Sequence, residues 1–348
     1  MNETLQAVII RRPDDWHTHL RDGQVMRSVL PYTARVFARA IVMPNLAPPI
    51  TSPELADAYR ERIRAALPTG SRFEPLLTCY LTDDSQPDEV ARGHRTGSFF
   101  AAKLYPAHST TNSQLGVTSI DRINSVLTRM EEIGMPLLIH GEVNDPDVDV
   151  FDREAVFLDK TLSVLLGRFP GLKVVLEHIT TAEAVQFVLA QKGRVGATVT
   201  PHHLVINRNS IFSGGIQPHL YCLPIAKRER HRQALRKAVT SGSTHFFLGT
   251  DSAPHAITSK ESGRAPAGIF NAVTAVECYA QVFDEEGALG QLEAFTSLNG
   301  PAFYGLPPNE STITLERRLH LVPTEVPSGT EAIRPFMAGE QLSWSVAI

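Results

Sequence analysis

Thr118-Ser119-Ile120-Asp121-Arg122-Ile123-Asn124-Ser125-Val126-Leu127-Thr128-Arg129-Met130-Glu131-Glu132-Ile133-Gly134 is followed, after one residue, by Pro136-Leu137-Leu138-Ile139-His140. In the first part Ile120, Ile123, Val126, Leu127, Met130 and Ile133 recur at the spacing of one helix face. Thr118 and Asp121 have the spacing of a capping box, which predicts the helix start. The second part is a continuous apolar run closed by a histidine, as expected of a strand buried on both faces. The two together make one α/β unit with a polar residue at the strand's end.

The same rhythm recurs on either side. Apolar runs occur at Ala40-Ile41-Val42-Met43-Pro44-Asn45, Pro75-Leu76-Leu77-Thr78-Cys79-Tyr80-Leu81 and Phe99-Phe100-Ala101-Ala102-Lys103-Leu104. Others occur at Lys173-Val174-Val175-Leu176-Glu177-His178, Val195-Gly196-Ala197-Thr198-Val199 and Phe246-Phe247-Leu248-Gly249-Thr250-Asp251. With a first strand leading into Trp16-His17-Thr18-His19, about eight strands are expected, separated by helices. Ser52-Pro53 opens one such helix, proline being tolerated where the missing N–H has no partner to lose. Thr180 and Glu183 repeat the capping signature before another. Alternating strands and helices imply a parallel sheet, and about eight units imply an α/β fold of the closed (β/α)8 TIM-barrel type. Residues 1–348 are read as one domain, with about 305–348 as a C-terminal extension packed on the barrel.

Composition narrows the function classes. The chain has 348 residues, 43% apolar and 20% charged, with net charge -4. No basic run suits a nucleic-acid surface; Lys227-Arg228-Glu229-Arg230 reads as a solvated helix start. No apolar run is long enough for a membrane span, and the N-terminal residues do not read as a signal peptide. Cys79, Cys222 and Cys278 form no paired motif, so each reads as a small buried residue in a reduced, cytoplasmic setting.

The chemistry lies in where polar residues fall. His17, His19, Lys103, His140, His178 and Asp251 each close an apolar run, and in a barrel those ends meet at the rim where active sites are built. Residues i and i+2 of a strand share a face, so His17 and His19 can aim at one ion. Imidazole and carboxylate suit zinc and its neighbours. Lys103 has two readings. It either reaches the rim or pairs with an acid, or it is a neutral buried amine that has taken up carbon dioxide and, as a carbamate, bridges two metals.

These motifs resemble the amidohydrolase superfamily, and within it the shorter, single-function bacterial dihydroorotase family. The likeness spans nearly the whole chain. It is carried by Arg12-Pro13-Asp14-Asp15-Trp16-His17-Thr18-His19-Leu20-Arg21-Asp22-Gly23, Ala102-Lys103-Leu104-Tyr105-Pro106, Leu138-Ile139-His140-Gly141-Glu142, Leu176-Glu177-His178-Ile179-Thr180 and Leu248-Gly249-Thr250-Asp251-Ser252-Ala253-Pro254-His255. The resemblance implies two zinc ions per subunit. One would be held by His17, His19 and Asp251 and the other by His140 and His178, with N6-carboxylated Lys103 bridging them. It makes Asp251 the proton shuttle. Substrate contacts implied in the same way are His19, Arg21, Asn45, His140, Leu223, His255 and Ala267, with Arg21 on a carboxylate. His108-Ser109-Thr110-Thr111-Asn112-Ser113 is similar to a mobile loop that closes over substrate, chiefly through Thr110 and Thr111. Similar proteins carry cysteines near Ser262-Gly263-Arg264-Ala265-Pro266-Ala267 and this chain has none, which removes any thiol role there.

The implied reaction is reversible hydrolysis of L-dihydroorotate to N-carbamoyl-L-aspartate in pyrimidine synthesis, on a small-molecule substrate, in a homodimer. Alternatives are another cyclic amidase, such as a hydantoinase or allantoinase, and a non-catalytic scaffold supporting a partner enzyme. His202 and His203 are assigned either a supporting place behind the metal ligands or structural use, and His108 is read as an exposed loop residue.

Overall fold

The computed structural model describes residues 6–191 and 193–347. A strand β1 (Ala7–Arg11) comes first. Eight more follow: β2 (Asp15–Thr18), β3 (Arg39–Val42), β4 (Glu74–Tyr80), β5 (Ala101–Leu104), β6 (Leu137–His140), β7 (Val174–Glu177), β8 (Val195–Val199) and β9 (Phe246–Leu248). β2 to β9 are neighbours in chain order in one parallel sheet. Its two edges meet through a parallel bridge between Thr18 and Ser252. There Asp251 N donates to His17 O (2.8 Å) and His19 N to Ser252 O (2.9 Å). The expected (β/α)8 barrel is the architecture found.

Side-chain alternation divides the strands between two packed layers. Ala101, Leu138, Val175 and Phe247 pack with Trp16, Ile41 and Met43 inside the barrel. Their neighbours Ala102, Leu104, Leu137, Ile139, Val174, Leu176 and Leu248 pack against the surrounding helices. Burial on both faces is why these strands read as continuous apolar runs. Parity then decides what reaches the rim: Lys103 follows Ala101, His140 follows Leu138, and Glu177 follows Val175. Gly300 closes the opposite end, lying so near Trp16 that a Cβ there would fall 1.8 Å from Nε1.

Several local expectations are corrected. Ser52 caps its helix as read, Oγ accepting from Leu55 N at 3.3 Å. The helix after residue 118 is instead capped by Ser119, opening with a 3-10 turn (Ile120–Ile123) before Asn124–Ile133. Thr118 N donates to Asp83 Oδ1 at 2.8 Å, and its hydroxyl also goes to Asp83. Likewise Thr181, not Thr180, caps Ala182–Ala190. Thr180 donates from N and Oγ1 to Glu154 (2.9 and 2.7 Å to Oε2). In both cases a carboxylate from another element takes the expected cap, which sequence spacing does not register. Lys227 is buried and donates to Ile225 O (2.9 Å), so it lies off the solvated face of helix Glu229–Thr240. The three cysteines are buried and free.

In the extension, β10 (Thr312–Glu316) pairs antiparallel with β1 and with the strand Ser345–Ala347. Leu315, Trp344 and Val346 bury into the same layer as the outward-facing barrel residues. Among the described residues, no helix is long and apolar enough to cross a membrane.

Candidate active site

The rim at the C-terminal ends of the strands gathers the residues singled out from sequence. His17 Nε2 and His19 Nε2 are 3.3 Å apart, and each lies within 3.2 Å of Asp251 Oδ1. The His178 ring centre is 4.9 Å from that of His17 and 5.0 Å from that of His140. His178 (φ 43°) and Asp251 (φ 45°) adopt the left-handed backbone that non-glycine residues seldom occupy. By parity His178 would face the helices; this turn at the strand's end brings it to the rim. Such conformations persist only where the surroundings hold them, typically at functional sites.

The hydrogen bonds fix how these rings present themselves. Asn45 Nδ2 donates to Thr111 O (3.0 Å), so its Oδ1 accepts from His19 Nδ1 (2.8 Å). A proton on Nδ1 leaves His19 Nε2 bare. His17 Nδ1 lies 2.8 Å from Glu177 Oε1. Two ring nitrogens and a carboxylate oxygen therefore converge with mutual distances of 3.1–3.3 Å. Atoms ~2.0–2.1 Å from a tetrahedral metal are about this far apart. Acceptors so placed repel unless a cation or proton lies among them, and outer partners like Asn45 and Glu177 are those that metal-ligating histidines require. The donor set fits a divalent metal. Among the described residues His178 Nδ1 is also buried without a partner, and His140 Nε2 is 3.0 Å from Glu142 Oε2.

Electrostatics divide the three rings. Burial, with Arg21 adding to it, pulls His19 down to about 4 despite Asp251. Burial holds His178 well below the usual histidine range, with His17 and His140 adding to it. Both rings are thus neutral, as ligation demands. For His17, burial is outweighed by Glu177 and Asp251, which raise it to about 9. For Asp251, the penalty of burial is overcome by His17 and by hydrogen bonds from His17 and His19, which hold it well below the usual carboxylate range. Lys103 is fully buried with Nζ against Glu177 Oε2 and 4.6 Å from the Tyr105 ring centre. Burial lowers its pKa while Glu177 opposes the shift.

A second group of contacts faces the same cavity, which is narrow. Arg21 (φ 60°) lines it, with Nη2 3.0 Å from His255 Nε2 and Nε donating to Pro254 O (3.3 Å). His255 Nε2 is also 3.1 Å from Ala267 O. Burial and Arg21 drive His255 down to about 2, so it stays neutral beside the guanidinium. Thr111 Oγ1 donates to Ala267 O (3.2 Å), and Asn112 Nδ2 to Asn45 O (3.0 Å), so the 108–113 loop is seated over the cavity. Thr110, Leu223 and Ala267 line it as well.

Every site residue expected from sequence thus lies in or beside one cavity. His108 is exposed. His202 and His203 are buried away from the cavity lining, His203 held between Thr200 Oγ1 (2.8 Å) and Pro224 O (2.9 Å). With Cys222 they form a third cluster of ligand-type atoms, but both His203 nitrogens are already engaged. The sequence reading missed Glu177, which meets both Lys103 and His17. The signal was present: Val175 and Glu177 share the inward parity of their strand. It also missed Tyr105, whose buried hydroxyl has no partner among the described residues.

An eight-stranded α/β barrel presenting clustered imidazoles and an acid at its strand ends is the framework of a metal-dependent hydrolase. The chain belongs to the amidohydrolase family, whose model matches residues 9–333. Within that family its relatives are dihydroorotases. It is 60% identical over 335 residues to the dihydroorotase of Sphingopyxis alaskensis, covering 96% of this chain and 97% of that one. The dihydroorotase structure from Campylobacter jejuni matches with a TM-score of 0.91 at 36% identity, covering 100% of both chains. That of Saccharomyces cerevisiae in complex with 5-fluoroorotic acid matches with a TM-score of 0.91 at 32% identity, covering 99% of both. The family expected from the motifs is the one found, and with it an enzyme of hydrolytic type.

Proposed function

We propose that this enzyme interconverts L-dihydroorotate and N-carbamoyl-L-aspartate, opening a six-membered cyclic amide by hydrolysis and closing it in reverse. The observation that carries this reading is the half-buried Arg21 guanidinium facing the same cavity as the His17–His19–Asp251 cluster. It sets a carboxylate clamp beside a hydrolytic centre. A guanidinium pairs with a carboxylate through two parallel hydrogen bonds. His255 and Pro254 O hold that fork in place. A hydantoin or allantoin ring has no carboxylate for it. The test is turnover of dihydroorotate by the purified chain, with hydantoin and allantoin as comparisons; a preference for either of those overturns the reading.

His17, His19 and Asp251 would hold one zinc ion and His140 and His178 a second, with carbamylated Lys103 between them. Bound metal ions supply Lewis-acid chemistry, stabilising charge at a carbonyl oxygen and acidifying water. The chain's residues do the rest. Asp251, kept ionised, takes a proton from the attacking water and returns it to the departing amide nitrogen, general base then general acid. Arg21, Asn45 and His255 orient the carboxylate. Backbone groups at Leu223 and Ala267 position the ring, and the Thr110–Thr111 loop excludes water from the closed site. The chain acts as one unit, supported by the core that the C-terminal strands share with the barrel.

Replacing both Thr110 and Thr111 with Val is expected to lower kcat by about 30-fold, about 1 kcal/mol for each hydroxyl hydrogen bond lost, without loss of thermal stability. A wild-type rate at saturating substrate would free the loop from any catalytic part.

The equilibrium should also move with pH. Ring opening creates a second carboxylate and releases one proton at neutral pH. Each unit rise in pH therefore favours carbamoyl aspartate about tenfold, and low pH favours the ring. An end-point ratio independent of pH would exclude this reaction.

A further inference from the structure

Lys260 is buried at the end of the short helix Ile257–Lys260. Its Nζ donates to three backbone carbonyls, Tyr221 O (2.9 Å), Pro266 O (2.9 Å) and Gly268 O (2.8 Å). An ammonium has three donors and no acceptor, so the group is fully spent. Its acceptors come from two segments more than forty residues apart in sequence. One segment leads to Leu223 and the other contains Ala267. The segments also touch directly, Gly268 N donating to Tyr221 O (3.0 Å). The second is tightly seated. A Cβ on Gly268 (φ 149°) would lie 2.7 Å from Ala253 O, and Ala267 O receives Thr111 Oγ1 at 3.2 Å.

We propose that Lys260 is a positioning residue for the substrate ring, its ammonium clamping together the two backbone segments that carry Leu223 and Ala267. This rests on the assignment of those segments to the ring of dihydroorotate. Only the protonated form can hold the clamp. A neutral amine keeps two hydrogens and a lone pair, which would face the third carbonyl oxygen. The groups facing Lys260 are Arg21, His255, Cys222 and Tyr221, the last with its ring centre 5.6 Å away. Burial lowers Lys260 to about 8, Cys222 opposing and Arg21 reinforcing the shift. The clamp therefore loosens as pH rises through about 8.

The experiment measures steady-state kinetics of the metal-loaded enzyme on dihydroorotate against pH, for the unsubstituted protein, Lys260→Met and Lys260→Arg. In Lys260→Met, KM is expected to rise about tenfold while kcat changes less than about threefold, the signature of lost binding rather than lost chemistry. Metal content should be unchanged. In the unsubstituted protein KM should rise above pH about 8; in Lys260→Arg, which stays charged, that rise should vanish. An unchanged KM in Lys260→Met, even with a lowered melting temperature, overturns the proposal. Should that variant fail to fold, a flat alkaline KM profile in the unsubstituted protein overturns it equally. An unsubstituted protein without dihydroorotate turnover overturns the functional reading itself, and this proposal with it.

Discussion

Lys103→Ala is expected to lose bound metal and to lower turnover by on the order of 10³-fold, as when a preorganised electrostatic contact is removed. Lys103 has no exposed surface and meets Glu177. Burial disfavours its charged form, and a neutral amine is what adds to carbon dioxide, giving a carbamate and one proton. The carbamate's two oxygens would lie between the His17–His19–Asp251 cluster and the His140–His178 pair. Two cations there would offset its repulsion from Glu177. Lys103→Arg is expected to do no better than alanine, because a guanidinium stays cationic. A short carboxylic acid added to Lys103→Ala should restore part of the activity. Electron density, or incorporation of isotope-labelled bicarbonate at Lys103, checks the modification directly. An unmodified lysine in a fully active, metal-loaded enzyme would leave Lys103 as the ion-pair partner of Glu177. In that case Lys103→Ala strands a buried carboxylate and chiefly destabilises the fold, and adding Glu177→Gln should restore stability.

Arg21→Met should keep its metal and lose affinity for substrate. A charge-assisted hydrogen bond contributes about 1.5–3 kcal/mol, so the paired contact is worth on the order of 10²-fold in kcat/KM. The backbone at residue 21 should hold, since Tyr59 OH donates to the Arg21 carbonyl rather than to its side chain. Lys is not expected to substitute, because it lacks the fork. Elemental analysis alongside kinetics separates the two readings. Lost metal would place Arg21 in the structure of the metal site, and near-normal kinetics would remove it from substrate binding.

Strand positions and the residue types that close them at the rim are encoded locally, and both were legible in the chain. A strand buried on two faces must be apolar along its length, so each barrel strand announced itself, and the polar residue closing it marked the rim. His17 and His19 share a strand face by simple alternation, and their nitrogens do meet. What folding alone settled involves groups distant in sequence that compete for one another. Glu177 meets Lys103 across seventy-four residues. Asn45 sets the His19 tautomer only because Thr111 occupies its amide nitrogen. Thr118 and Thr180 leave their expected caps for Asp83 and Glu154. β1 finds its partner in β10, some three hundred residues later. His178 reaches the site through a left-handed turn that its residue type does not announce. Periodicity reports which side of an element is buried, whereas a hydrogen bond depends on which donor and acceptor the fold brings within about 3 Å, and that is decided only when the elements pack.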